Sequence, residues 1–325
     1  MRAAVCTRAG GPEVLEIREL PVPAVREGWS LVQVKGTGLN RSELRTRQGR
    51  SPSVTFPRVL GIECVGVVAA STEPMLPEGT TVAAVMGEMG RDFDGGYAEY
   101  ALLPNSLLIP VATTLPWDVL AALPETYLTA QGSLDALGVV PDSQSRLLIR
   151  GGTSSAGMAA VSIASGYGVK TAATTRRHDR TGALAAAGAD HAFIDDGGAL
   201  AARVHAVWPE GPDYVLDLVG GSTIVDSLHL VRRGGTVCMT GSLSGWVIPD
   251  FEPIAMIPSG TKLTAFHSDC YKGSAGAPVL QRIVQQVEAG VYRPNIDRVF
   301  RLDDIAAAHQ YMENNQATGK LVVLP

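Results

Sequence analysis

Residues 147–180 read LLIRGGTSSAGMAAVSIASGYGVKTAATTRRHDR, and the types and spacing there suit phosphate binding. A short apolar run meets a Gly- and Ser-rich turn; an Ala-rich helix-forming segment follows, then a second strand-like run at 169–174. A helix start presents unpaired amides and the positive end of its dipole, so a phosphate can sit there if no side chain blocks it. Gly151 and Gly152 suit the tight turn and Gly157 the close packing of helix on strand, while Thr153, Ser154, Ser155 and Ala156 complete the phosphate-facing loop. A dinucleotide fingerprint has glycine where Ser154 stands. A serine narrows the approach, yet its hydroxyl can donate to a phosphate oxygen.

The end of the second strand decides which dinucleotide is expected. An NAD site places Asp or Glu there to hold the ribose 2′-hydroxyl, whereas this chain places Thr174, Thr175, Arg176 and Arg177. Two arginines without the acid point to the 2′-phosphate of NADP(H), and Arg180 adds a third positive charge nearby. The same stretch admits a different chemistry. Gly152-Thr153-Ser154-Ser155-Ala156 nearly matches a G-x-S-x-G nucleophile elbow, and Asp217 and His267 follow in the order of an α/β-hydrolase. That alternative leaves Arg176 and Arg177 unexplained and needs Ala156 where the elbow has glycine. A second alternative is a sensor that binds NADPH without turnover.

The surrounding elements must position this turn. Up to about residue 116 the pattern is strand-rich: 2–7, 14–19, 30–35, 64–70 and 80–86 read as strands, and Asn40 as the N-cap of a helix at 42–48 stopped by Gly49. Thereafter helix and strand alternate. One or two helices at 118–137 lead into the glycine-turn strand. Helices at 183–187, 199–207 and 223–232 then separate strands at 191–194, 213–218, 236–240 and 262–266. With the first two, that makes six strands, the count of a doubly wound sheet whose ligand lies at the carboxyl ends of the strands. Helices at 278–290 and 304–314 and a strand at 321–324 are expected to return to the first domain.

Composition narrows the class. A chain of 325 residues, 46% apolar and 18% charged with a net charge of -5, reads as a two-domain globular protein with no footprint for nucleic acid. No apolar run is long enough to span a bilayer, and the expected location is the cytoplasm. Cys6, Cys64, Cys238 and Cys270 are scattered, as are the six histidines, so no metal-ligand spacing is present and reduced, buried thiols are expected.

The stretches VKGTGLNRSELRTRQG, LGIECVGVV, GGYAEYALLP, LPETYLTA, IRGGTSSAG, AAGADHAF, DYVLDLVGG, RRGGTVCMTG and TGKLVVLP together resemble the medium-chain dehydrogenase/reductase superfamily. Within it they are most similar to the zinc-independent quinone oxidoreductases. The resemblance implies an α/β protein with a GroES-like β-rich catalytic domain, placed at 1–117 and 271–325. A doubly wound Rossmann domain with a six-stranded parallel sheet is placed at 118–270, and a homodimer is expected. It further implies hydride transfer from NADPH to a small-molecule quinone or α,β-unsaturated carbonyl. Asn40 is similar to the asparagine beside the nicotinamide, Thr129 to the threonine near the carboxamide, and Gly241 and Ser242 to the loop flanking the ring. Phe266 and His267 resemble the strand end lining the cofactor, and Tyr127 is a candidate proton donor alongside solvent.

Zinc-dependent relatives would need a cysteine before Asn40, a histidine at Ile62 and a cysteine near Pro124. None is present, and Glu63 is the one remnant of that site. Arg45 and Ser51 stand where simple quinone reducers often carry tyrosines; Arg45 and Arg47 are read either as steering an anionic substrate or as an exposed helical face.

Overall fold

A computed structural model describes residues 1–51 and 53–325. The chain divides into two compact units.

Thr129–His267 and Val291–Asn295 form one of them. Its six strands are all parallel, in the order His191–Ile194, Lys170–Thr175, Arg146–Arg150, Tyr214–Asp217, Thr236–Met239, Lys262–Ala265. Parallel neighbours require crossovers. The helices Ser155–Gly166, Thr181–Ala186, Leu200–Val207, Ile224–Leu230 and Pro253–Met256 lie in those connections. Leu147, Leu148 and Ile149 of the central strand are wholly buried, as a strand covered on both faces requires. The strand order reverses on either side of Arg146–Arg150, so the switch point falls at its carboxyl end, where the glycine turn begins.

Met1–Leu128, Ser268–Gly290 and Ile296–Pro325 form the other unit, with the GroES-like architecture. A seven-stranded sheet runs Ile296–Arg301, Lys320–Leu324, Trp29–Gly38, Glu63–Ser71, Thr81–Val85, Leu108–Pro110, with Tyr100–Pro104 also paired to Trp29–Gly38. A three-stranded sheet joins Leu15–Glu19, Arg2–Cys6 and Arg58–Val59. Ala4, Val5, Leu44, Leu60, Tyr97, Ile305 and Val323 share one buried cluster, and Val32, Val34, Cys64, Val68 and Leu103 another.

Several expected boundaries move. The two compact units divide at 128/129 and 267/268, with 291–295 in the sheet unit. The cause is packing: helix Trp117–Ala121 lies on Trp29–Gly38 and Glu63–Ser71, and Ser268 Oγ donates to Glu125 Oε1 at 2.8 Å. The helical stretch expected at 118–137 is two helices, Trp117–Ala121 and Pro124–Leu137, because Pro124 has no amide to continue a helix but suits a first turn. Ile296–Arg301 is a strand that its charged IDRVFR sequence did not announce. It pairs in parallel with the apolar Lys320–Leu324 and keeps much of its own surface in solvent. Cys6, Cys64 and Cys238 are buried thiols, but Cys270 is exposed. Burial pushes the Cys6 and Cys64 thiols up to about 11 and about 12, so they are inert near neutrality. Among the described residues, no helix is long and apolar enough to cross a membrane.

Candidate functional site

The turn after Arg146–Arg150 is held from both sides. Gly151 takes φ +77°, a backbone conformation that favours glycine, and its amide donates to Thr174 Oγ1 at 3.1 Å while the Gly152 amide donates to Thr174 O at 2.9 Å. A Cβ on Gly157 would lie 2.6 Å from both Gly151 O and Gly152 O, so only glycine lets the helix start this close to the turn. Ser154 is the N-cap: its Oγ accepts from the Gly157 amide at 3.1 Å and donates to Gly151 O at 2.7 Å. The first helical amides, Ser155 and Ala156, have no intrahelical acceptor and are available to an anion. Thr153 sits within the same turn, half-buried.

Three loops converge here. A Cβ built on Gly151 would touch Leu218, Val219 and Leu243 at 3.4–3.5 Å, and one on Gly241 would lie 1.9 Å from Leu218 O. The loops after Tyr214–Asp217 and Thr236–Met239 are joined by the Gly221 amide on Gly245 O at 3.0 Å. Asp217 organises the first of them. Its wholly buried carboxylate accepts from the Val219 and Gly220 amides, both at 2.9 Å, and from the hydroxyls of Thr223 and Ser227. Ser154 and Asp217 are thus committed to backbone and loop rather than to a nucleophile and its base.

The helix Pro124–Leu137 carries the half-buried Thr129 toward this face. Ser133 Oγ lies 2.8 Å from Thr240 Oγ1, next to Gly241, and the ring of Phe266 lies on the bare α-carbon of Gly132, where a Cβ would be 2.0 Å from its Cζ. Thr129 lies one helical turn before Ser133, whose hydroxyl donates to Thr129 O at 2.6 Å, and Ser242 and an exposed His267 adjoin Gly241 and Phe266 in the chain. At the end of Lys170–Thr175 the Thr175 hydroxyl accepts from the Arg177 amide at 3.2 Å and shapes the turn. Arg176 is exposed and makes no ion pair among the described residues, while Arg177 is held by Asp179 at 2.9 and 2.5 Å. Arg180 closes the short helix His178–Arg180 that follows.

The other unit holds a buried charged cluster. Asn40 caps the helix Arg41–Arg47 in a capping box with Glu43 and also bonds to Glu63, its Nδ2 donating to Glu63 Oε1 at 2.9 Å and to Glu43 Oε1 at 3.3 Å. Lys320 Nζ donates to Glu63 Oε1 at 2.6 Å and to Asn40 Oδ1 at 2.7 Å. Glu63 Oε2 accepts the Glu125 amide at 2.9 Å, which puts a carboxylate at the positive end of helix Pro124–Leu137. Gly38 makes room: a Cβ there would sit 2.3 Å from Lys320 Cε and 2.4 Å from Glu63 Oε1. Burial, offset in part by the Ile62 amide and Lys320, pushes Glu43 up to about 7.

Tyr127, the candidate proton donor, lies in the core at 2% exposed. Arg47 is wholly buried rather than on a solvated face, with Nη2 on Glu313 Oε2 at 2.6 Å. Arg45 remains half-buried, and Ser51 Oγ lies 2.8 Å from Thr46 Oγ1. Lys320 and Glu43 were not among the expected site residues. The available signal was a lysine opening an otherwise apolar strand, since buried lysines are rare and paired.

Zinc does not fit these residues. Leu39, Ile62 and Pro124 are buried and offer no side-chain donor, and Lys320 Nζ already lies against Glu63. Among the described residues, no group of three or more His, Cys, Asp or Glu is placed to hold a metal ion. A dinucleotide does fit the other unit, through the glycine cradle, the free helix start and the basic strand end.

Residues 26–113 match the family model described as the alcohol dehydrogenase GroES-like domain, and residues 187–323 the one described as zinc-binding dehydrogenase. Human quinone oxidoreductase is 27% identical over 330 residues, covering 100% of this chain and 98% of its own length. The chloroplastic NADPH-dependent alkenal/one oxidoreductase of Arabidopsis thaliana is 26% identical over 343 residues, covering 100% and 80%. A mycobacterial protein solved complexed with NADPH matches with a TM-score of 0.88 at 25% identity, covering 100% of both chains. With both units, the strand order and the turn in place, the chain is a quinone oxidoreductase-like member of the medium-chain dehydrogenase/reductase superfamily.

Proposed function

We propose that this chain is an NADPH-dependent oxidoreductase that delivers hydride to a quinone or an α,β-unsaturated carbonyl without zinc. The observation that carries the reading is the end of strand Lys170–Thr175, where no acid stands and Arg176 and Arg177 lie exposed. The names of the human, Arabidopsis and mycobacterial proteins support it. Bound NADPH would supply a hydride from its nicotinamide. The chain's own residues do the rest. The Ser155 and Ala156 amides hold the pyrophosphate, Arg176 and Arg177 with Arg180 nearby take the 2′-phosphate, and Thr129, Gly241, Ser242, Phe266 and His267 flank the ring. A conjugated acceptor takes hydride without a Lewis acid, and Glu63, the remnant of the metal site the resemblance describes, is already paired with Lys320. With Tyr127 buried, the proton is assigned to solvent.

Fluorescence titration tests the cofactor. Arg176→Ala is expected to weaken NADPH binding by roughly 10- to 100-fold, one charge-assisted contact, and to leave NADH unchanged. Arg177→Ala should cost less, because Asp179 already occupies that guanidinium. Equal losses for both nucleotides would remove the 2′-phosphate pocket. Turnover is tested by NADPH absorbance against a panel of quinones and enones; tight binding with no absorbance change would leave the sensor reading in place.

A homodimer in the cytoplasm is the proposed state. Lys262–Ala265 is a sheet edge and the preceding segment exposes Trp246, Val247 and Ile254, so pairing there would satisfy open backbone and cover apolar surface. Sedimentation showing only a 34.1 kDa species at micromolar protein would sink this assembly.

A further inference from the structure

The turn at the end of Lys170–Thr175 holds two adjacent arginines in different states. Arg176 is exposed and makes no ion pair among the described residues, while Arg177 turns one edge of its guanidinium to Asp179: Nε donates to Oδ1 at 2.9 Å and Nη2 to Oδ2 at 2.5 Å. Two parallel bonds from one edge are also the geometry in which arginine takes a phosphate. A 2′-phosphate approaching that edge competes with the carboxylate for the same two N–H groups. Approaching the other edge, it would share a single positive charge with Asp179. A 2′-hydroxyl carries no charge and enters neither competition.

The pair can open. Both side chains are more than half exposed, at 56% and 61%, and ion pairs in that setting contribute little. The Asp179 carboxyl is held below its ordinary value chiefly by the Arg177 hydrogen bond, and the Arg180 charge acts in the same direction, so a released carboxylate keeps a second cation near it.

We propose that Asp179 is an internal competitor of the 2′-phosphate: it occupies Arg177 in the free protein, is displaced when a 2′-phosphorylated nucleotide binds, and so lowers the preference of this chain for NADPH over NADH. The inference deepens the 2′-phosphate reading and rests on it. Arg176 supplies the contact that needs no displacement, and Arg177 the one that does.

Every residue involved belongs to the sheet unit, so probes without a nicotinamide suffice: adenosine 2′,5′-bisphosphate and AMP, titrated calorimetrically into the whole protein. Asp179→Asn is expected to tighten the bisphosphate about 2- to 5-fold, the scale of an exposed ion pair, and to leave AMP unchanged. In an Arg177→Ala background the same substitution should have no effect, since the two side chains act as one pair. A gain that survives Arg177→Ala would mean plain repulsion between carboxylate and phosphate, and it overturns the proposal. If wild type binds both probes alike and Arg176→Ala shifts them equally, the 2′-phosphate reading fails and the competitor falls with it. A wild-type preference for the bisphosphate that Asp179→Asn leaves unmoved or reduces overturns the competitor alone.

The exchange of partners has a direct readout. In a 1H–15N spectrum the Arg177 Nε–H signal, assigned by its loss in Arg177→Lys, should move when the bisphosphate is added and stay in place with AMP. An Arg177 signal unmoved by saturating bisphosphate overturns the proposal.

Discussion

Glu63→Leu on its own is expected to lower the free energy of unfolding by about 3 to 5 kcal/mol, read from the midpoint of a denaturant titration. The substitution leaves Lys320 Nζ buried with only the amide oxygen of Asn40 as acceptor and removes the carboxylate from the start of helix Pro124–Leu137. Adding Lys320→Met should return most of that loss, because replacing a buried ion pair by apolar groups of similar volume is often neutral. The two substitutions should thus be strongly non-additive. Additive losses would show that the two side chains are not energetically coupled.

The second large effect is on pH dependence. Glu43 is raised from 4.5 to about 7, chiefly by burial, so the folded state holds a proton the unfolded state has lost; this stability is present below pH 4.5 and declines as pH rises through 7. His309 is depressed from 6.5 to about 3 by burial and then by the Arg47 charge, so its contribution is present above pH 6.5 and declines as pH falls toward 3. Each acts at up to about 1.4 kcal/mol per pH unit. Between pH 4.5 and 6.5 they oppose, and wild-type stability should be nearly flat in that window. Glu43→Gln is expected to expose the His309 slope, with stability climbing from pH 4.5 to 6.5; its stability relative to wild type should grow by about 3 kcal/mol between pH 4.5 and 8. His309→Gln should expose the opposite slope. Denaturant midpoints across this range check both, and parallel curves for all three proteins would remove the assignment.

The parts legible in sequence share a physical reason. Leu147–Ile149, the glycine turn and the Ala-rich helix obey local rules of period, turn conformation and capping, so the parallel sheet could be read before any tertiary contact was known. Asn40 was legible as a cap for the same cause. What escaped depended on partners far along the chain. Arg47 reads as a solvated helix residue until Glu313 is brought to it, and Lys320 as the polar end of a strand until Glu63 and Asn40 meet it. Ile296–Arg301 has no strand pattern of its own and owes its state to the apolar neighbour it pairs with.

The closing strand Lys320–Leu324 also orders events during synthesis. The parallel-sheet unit is complete once residue 295 has emerged from the ribosome, whereas the other unit must wait for a strand whose contacts with Asn40 and Glu63 span 280 and 257 residues. Until then Glu63 stays hydrated and the edge of Trp29–Gly38 that takes Lys320–Leu324 stays open to stray pairing. The half translated first is therefore the half that finishes folding last, and the interval in which nascent chains are vulnerable to aggregation is set by elongation through the intervening unit.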